Sequence, residues 1–244
     1  MGMKIPAFIT VRTASSRLPQ KCLLPFGDVN VIEHIIRRAV FFGLEPIVCT
    51  TDQPADDILE KTAVKNKVKY FRGSEKHKLK RWLDCCDAFG IDVFHTVDAD
   101  DPFFDADLVK KSFALLGTGY DVVSPTEASS MGNASVGYSL KRDIIGKACA
   151  VSNSQDTEMM WYFLDKVPGI RKIQLVDEDP HPVKVRLTLD YEEDYWLLCT
   201  VQRLVGGNAS RKEVDGLFRR NPDLYKMNWF RNQEWKEAQL AKKI

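Results

Sequence analysis

The chain has 244 residues, with Lys+Arg 35 against Asp+Glu 34 and a formal net charge of +1. That balance excludes a global field drawing in nucleic acid or anionic lipid, so anion binding has to come from local arrangement. No apolar stretch approaches the ~20 residues that span a bilayer, and 44% hydrophobic content suits the core of one α/β domain covering residues 1–244.

The first predicted element is a buried strand over residues 5–11, running straight into RTASSRLPQK. This loop places Arg12, Arg17 and Lys21 among Thr13, Ser15 and Ser16, which suits a polyphosphate. A helix over 31–42 follows, capped by Asn30 with Glu33 three residues on and striped by Ile32, Ile35, Ile36 and Ala39. Strands are predicted over 45–50, 67–71, 93–97, 121–124 and 184–189, and helices over 55–65, 75–89 and 106–116. Small and polar residues over 129–137 read as a substrate-facing loop or hairpin. Helices follow over 141–150, over 157–164 and after Glu192, and residues 206–244 form a helical appendage beyond Gly206-Gly207.

This alternation predicts a doubly wound, mostly parallel sheet with helices on both faces. In such a sheet ligands bind beyond the carboxyl ends of the strands. The residues selected are 12–21, Thr51, Asp52, 72–74, 98–101 and Asp190. VDADDPFFD sets Asp98, Asp100 and Asp101 directly after a strand, where Asp105 also reads as a plain helix cap. RLTLDYEED sets Asp190 at another strand end, ahead of Glu192, Glu193 and Asp194 in a helix first turn. Cations at one strand end and carboxylates at two others suit a metal–polyphosphate complex. Asp100 and Asp190 make a plausible pair for Mg²⁺.

The six cysteines form no CxxC pair and no ligand spacing with the four histidines, so they read as reduced, packed thiols of a cytoplasmic protein. The sequons at Asn133 and Asn208 then mean nothing, MGMKIPAFIT lacks a signal-peptide pattern, and Met1-Gly2 does not complete a myristoylation motif. His34 is placed on a surface or interface face of its helix and His95 in the core.

RTASSRLPQKCLLPFG, TTDQPADDIL, FRGSEKHKLKRW, DADDPFFD and RLTLDYEEDY, in this order, together with NPDLYKMN near the end, resemble the cytidylyltransferases that activate acidic sugars. The resemblance is to the spore-coat polysaccharide (SpsF-like) branch, related to the acylneuraminate and Kdo cytidylyltransferases. It implies a nucleotide-diphosphosugar transferase fold, a homodimer, and Mg²⁺-dependent attack of a sugar hydroxyl on the α-phosphate of CTP. The products would be pyrophosphate and a CMP-sugar for cell-surface polysaccharide. By the same resemblance Arg12, Ser15, Ser16, Arg17 and Lys21 would bind the triphosphate. Thr51, Asp52, Arg72 and Ser74 would lie by the nucleoside. Asp100 and Asp190 would hold Mg²⁺, and Arg12, Lys21, Asp100 and Asp190 would carry the chemistry.

Gly132, Asn133, Gly137, Tyr138, Thr157, Glu158 and Arg186 are candidates for the sugar pocket. Gly137-Tyr138 reads equally as a turn plus core strand, and Glu158 as a helix N-terminal acid. The family loop usually carries glycine where Ala14 and Gln20 stand, so an alanine forced to positive φ would be costly. SQDTEMMWYF replaces an REHVT-like segment on the sugar side, which puts the acceptor in doubt more than the catalysis. Asp98-Ala99-Asp100 formally fits the DxD of a glycosyltransferase, and a catalytically silent nucleotide-binding homologue is the third reading.

Overall fold

The computed structural model describes residues 4–178 and 182–241; Met1 and Gly2 lie outside them. The elements run β1 (Ile5–Thr10), β2 (Pro25–Phe26), β3 (Val29–Asn30), α1 (Val31–Phe41), β4 (Leu44–Thr51), α2 (Asp57–Lys65), β5 (Lys69–Gly73), α3 (Lys78–Phe89) and β6 (Val93–Asp98). They continue with α4 (Ala106–Leu116), β7 (Val122–Ser124), β8 (Ser139–Lys141), α5 (Arg142–Val151), α6 (Met160–Leu164), β9 (Lys172–Gln174), α7 (Glu192–Val205), α8 (Arg211–Arg220) and α9 (Arg231–Ala241). The main sheet has seven strands in the order β5-β4-β1-β6-β8-β7-β9, while β2 and β3 form a separate hairpin. Strands β5, β4, β1 and β6 are mutually parallel, and β8 runs antiparallel to both its neighbours.

Both faces of the sheet are covered, and the period of two along each strand sorts the side chains. Ala7, Ile9, Val48 and Val97 pack with Ile32, Ile35, Leu59, Val109 and Leu197 on one face. Phe8, Ile47, Cys49 and Phe94 pack with Leu79, Trp82, Cys85 and Ile145 on the other. Cys85 and Cys86 are helix-packing residues, as their apolar setting implies, and the six cysteines are free thiols. Val214, Leu217 and Phe218 of α8 join the first core, so the tail packs onto the sheet layer. No helix of the described residues is long and apolar enough to cross a membrane.

Two expectations need correction. Residues 184–189 belong to no strand of either sheet. Leu187 N–H donates to Gly132 O at 2.8 Å and Leu189 N–H to Asp100 O at 2.7 Å, tying the segment to two loops. Its alternating apolar pattern records burial of Val185, Leu187 and Leu189, and burial without a ladder produces the same pattern. The short β8, with Ser139, Leu140 and Lys141, gives too little sequence for that period to register. His34 is buried, not on a surface. Its Nε2 lies 2.8 Å from Pro102 O, its ring packs at a tilt against Phe26, and burial lowers its pKa to about 4. His95 is in the core as expected, with Nδ1 2.8 Å from Ser139 Oγ. The Asn30 cap also holds, its side chain accepting from Glu33 N–H at 2.9 Å.

The chain reaches β8 by passing hard against β6. Thr96 N–H donates to Tyr138 O at 2.8 Å, and a Cβ on Gly137 would stand 2.1 Å from Thr96 O. Backbone cannot yield as a side chain can. Gly137→Ala is therefore expected to destabilise the fold by about 3 kcal/mol or more, read as a lowered midpoint in urea unfolding; an unchanged midpoint would refute the close approach.

Candidate active site

The loop after β1 is held from its far side. Asp56 accepts from Thr13 N–H at 2.8 Å, from Thr13 Oγ1 at 2.6 Å and from Thr51 Oγ1. Burial opposes the Asp56 charge, but these hydrogen bonds prevail and lower its pKa, so an ionised carboxylate pins the loop to the end of β4. Ala14 is not among the residues with positive φ, which removes the steric objection to alanine there. Gln20 is, with φ 52°, at the entry of the short helical turn Lys21–Leu23. The left-handed backbone that glycine would supply is thus taken by glutamine.

That turn aims Lys21 at two carboxylates from distant parts of the chain. Lys21 Nζ lies 2.8 Å from Asp100 Oδ2 and 3.0 Å from Asp190 Oδ1, and donates to Leu189 O at 2.6 Å. Arg17 pairs with the same Asp190 oxygen. Burial works against the Lys21 charge, yet Asp100 and Asp190 raise its pKa above the ordinary lysine value. For Asp190 burial is likewise outweighed, by Lys21 and Arg17, and its pKa is lowered. Asp100 and Asp101 go the other way. Desolvation and mutual repulsion among Asp98, Asp100, Asp101 and Asp190 raise both.

Asp190 itself is held by a buried network. Arg186, wholly buried, places Nε 2.9 Å from Asp194 Oδ1 and one terminal nitrogen 3.4 Å from Asp190 Oδ2. Asp194 also accepts from the backbone N–H groups of Asp190 and Tyr191, both at 3.0 Å. Two residues of the tail close the network. Asn228 Nδ2 donates to Arg186 O at 2.9 Å and to Asp194 Oδ1 at 2.8 Å, and Asn232 Oδ1 accepts from Arg186 at 3.1 Å.

The structure brings Arg17, Lys21, Asp100, Asp190 and Arg186 together. Arg12 stands at the rim, 3.8 Å from Glu158, while Ser15 is half-buried and Ser16 exposed. Asp52 and Ser74 line an open cavity of about 560 Å³ with Gln53, Gly73 and Lys76. Arg72 is spent on Thr51 O, Gln53 O, Asp57 and Glu60, and Thr51 on Asp56, so both brace the scaffold. Thr157 is buried and caps α3 by accepting from Leu79 N–H at 3.0 Å. Gly132, with φ 104°, and buried Asn133 sit in the turn facing Arg186, and Tyr138 has its phenol pushed up to about 12 by burial. Sequence reasoning passed over Asp56, Lys78, Asp194, Asn228 and Asn232. Asp194 stood in a helix first turn, where an acid needs no further explanation.

The cytidylyltransferase family model matches residues 7–158, and the chain belongs to that family. It is 27% identical over 228 residues to the spore coat polysaccharide biosynthesis protein SpsF of Bacillus subtilis (strain 168), covering 88% of this chain and 94% of that one. Among solved structures it is similar to a cytidylyltransferase from Leptospira borgpetersenii serovar Hardjo-bovis, at 24% identity and TM-score 0.81 over 92% of this chain and 97% of that one. It also resembles CMP:2-keto-3-deoxy-manno-octonic acid synthetase complexed with CTP, at 17% identity and TM-score 0.62 over 82% and 99% of the two chains. The fold is accordingly the α/β nucleotidyltransferase fold.

Two outcomes follow from the loop and the network. Gln20→Gly relieves a left-handed backbone and is expected to stabilise the protein by about 1 kcal/mol, seen as a higher thermal midpoint; a drop would contradict the αL assignment. Arg186→Met leaves Asp194 and Asp190 facing one another and is expected to cost about 3–5 kcal/mol. Chemical denaturation of the single variant and of Arg186→Met/Asp194→Leu checks it, since the double variant regains part of the loss if the cost comes from stranded charge.

Proposed function

We propose that this protein transfers a cytidylyl group from CTP to a hydroxyl of an acidic sugar, releasing pyrophosphate, in the assembly of cell-surface polysaccharide. The observation that carries the reading is the single Lys21 ammonium shared by Asp100 and Asp190 at the carboxyl edge of the sheet, with Arg17 on the same oxygen. Family membership supports nucleotidyl transfer, and the CTP complex of a similar fold supports the nucleotide.

The chemistry asks for these groups. The acceptor oxygen bonds to the α-phosphorus, the bond to the bridging oxygen breaks, and negative charge passes to pyrophosphate. Arg17 and Lys21 answer that charge as planar fork and point charge. Both are partly accessible, with side chains 24% and 13% exposed, and can turn from Asp190 to a triphosphate. Asp100 and Asp190 fit a hard divalent cation, because their oxygens already converge on one cationic atom at 2.8 and 3.0 Å. They would hold Mg²⁺, which when bound polarises the α-phosphate and favours ionisation of the attacking hydroxyl. Asp190 is fixed for this by Arg186 and Asp194, and Asp100 by its place after β6.

CTP, UTP, ATP and GTP crossed with a sugar-acid panel, read by pyrophosphate release, test the reading. CTP with one acid is the expected productive pair. Lys21→Ala and Asp100→Asn are each expected to lower kcat by roughly 100-fold or more with the far-UV circular dichroism spectrum unchanged. Near-normal turnover in both would sink the assignment.

A further inference from the structure

Among the described residues, Lys78 is a cation of the cleft held by a long ion pair alone. Lys78 opens α3, its side chain is 10% exposed, and its Nζ stands 3.6 Å from Asp98 Oδ1. It donates no hydrogen bond to any described residue. Its other neighbour is the face of Trp82, 5.1 Å from Nζ to the ring centroid, and the indole N–H of Trp82 is committed to Thr10 Oγ1 at 3.0 Å. Thr10 and Asp98 are paired residues at the ends of β1 and β6, so this ammonium lies on the same sheet edge as Asp100.

Its local partners are Asp98 and the Trp82 face, and neither accepts a hydrogen bond from Nζ. A cation in the first turn of a helix opposes the dipole, and an ammonium carries three donors to satisfy. The amides of that turn are filled: Lys78 N–H by Lys76 O, Leu79 N–H by Thr157 Oγ1 and Lys80 N–H by His77 Nδ1. The donor capacity therefore belongs to Nζ alone. Burial lowers the Lys78 pKa, but Asp98, Glu158 and Asp100 raise it further, so it stays charged. Lys21, by contrast, has all three of its donors occupied.

We propose that Lys78 binds the carboxylate of the acceptor and selects acids over neutral sugars, an inference that rests on the transferase reading above. In the ring form of a 2-keto sugar acid the carboxylate shares a carbon with the anomeric hydroxyl. An acid attacking through that hydroxyl brings its charge up to Asp98 and Asp100. A cation has to meet it there, and Arg17 and Lys21 are assigned to the triphosphate.

The test compares wild type, Lys78→Met and Lys78→Arg with CTP and Mg²⁺, using 3-deoxy-manno-octulosonate and N-acetylneuraminate, each beside its methyl ester. Lys78→Met is expected to raise the acceptor KM roughly 10- to 100-fold, to leave calorimetric CTP affinity within about twofold, and to erase the preference for acid over ester. Lys78→Arg restores most of that preference. An unchanged acid-to-ester ratio overturns the proposal, as does a loss confined to CTP affinity, which assigns Lys78 to the nucleotide. If Lys78→Met does not fold, Lys78→Gln carries the same comparison. Wild type that uses only neutral acceptors overturns the Lys78 assignment and leaves the transferase standing, whereas failure to release pyrophosphate from any nucleotide removes both.

Discussion

Four carboxylates, Asp98, Asp100, Asp101 and Asp190, meet at one edge of the sheet, and the architecture around them serves to make that concentration tolerable. Left alone they would repel, and desolvation would drive protons onto them. The chain answers with Lys21 and Arg17 from the loop after β1, Lys78 from α3 and Arg186 from the segment before Asp190. These cations come from three separate stretches of sequence. The charge balance therefore exists only when the strands are in register. A site of this kind would couple folding to function, since the ion pairs that hold the cleft together are the ones a charged ligand would have to exchange.

The compensation is uneven, and the unevenness has chemical meaning. Asp190 is over-supplied with positive charge and has a lowered pKa, whereas Asp100 and Asp101 are under-supplied and have raised ones. A divalent ion arriving at Asp100 and Asp190 would repair the deficit on one side and free Lys21 and Arg17 on the other. Neutralisation by side chains and by a metal would then be alternatives at one place.

Much of this was legible in the residues. The apolar strand running into Arg12, Arg17 and Lys21, the DADD after another strand, and Asp190 ahead of a helix each carried a local signature that folding leaves in place. What was not legible depends on pairing between distant residues. Residues 184–189 alternate as a strand does, but nothing local says that Gly132 and Asp100 will accept their hydrogen bonds in place of a neighbouring strand. Arg72 looked like a ligand cation until Asp57, Glu60 and two carbonyls claimed it. His34 sits beside polar Glu33 and Arg37 in sequence, and its burial follows from Pro102 and Phe26 lying over it.

The family match ends at residue 158, yet half of the central charge pair lies beyond it. Asp190 owes its position to Asp194, and Asp194 to Arg186 and Asn228. Asn228 follows α8, on the stretch that reads from sequence as an appendage. A wholly buried amide donating to both an arginine carbonyl and an aspartate is an expensive thing to place in a decorative tail. The physical sense is that a carboxylate shared by Lys21, Arg17 and Arg186 can hold its place among three cations only if its backbone is fixed independently of them. Asp194 does this by accepting from the Asp190 and Tyr191 amides, and the tail fixes Asp194 in turn. Asn228 and Asn232 thus make the tail a structural part of the same edge of the sheet that carries Lys21 and Arg17.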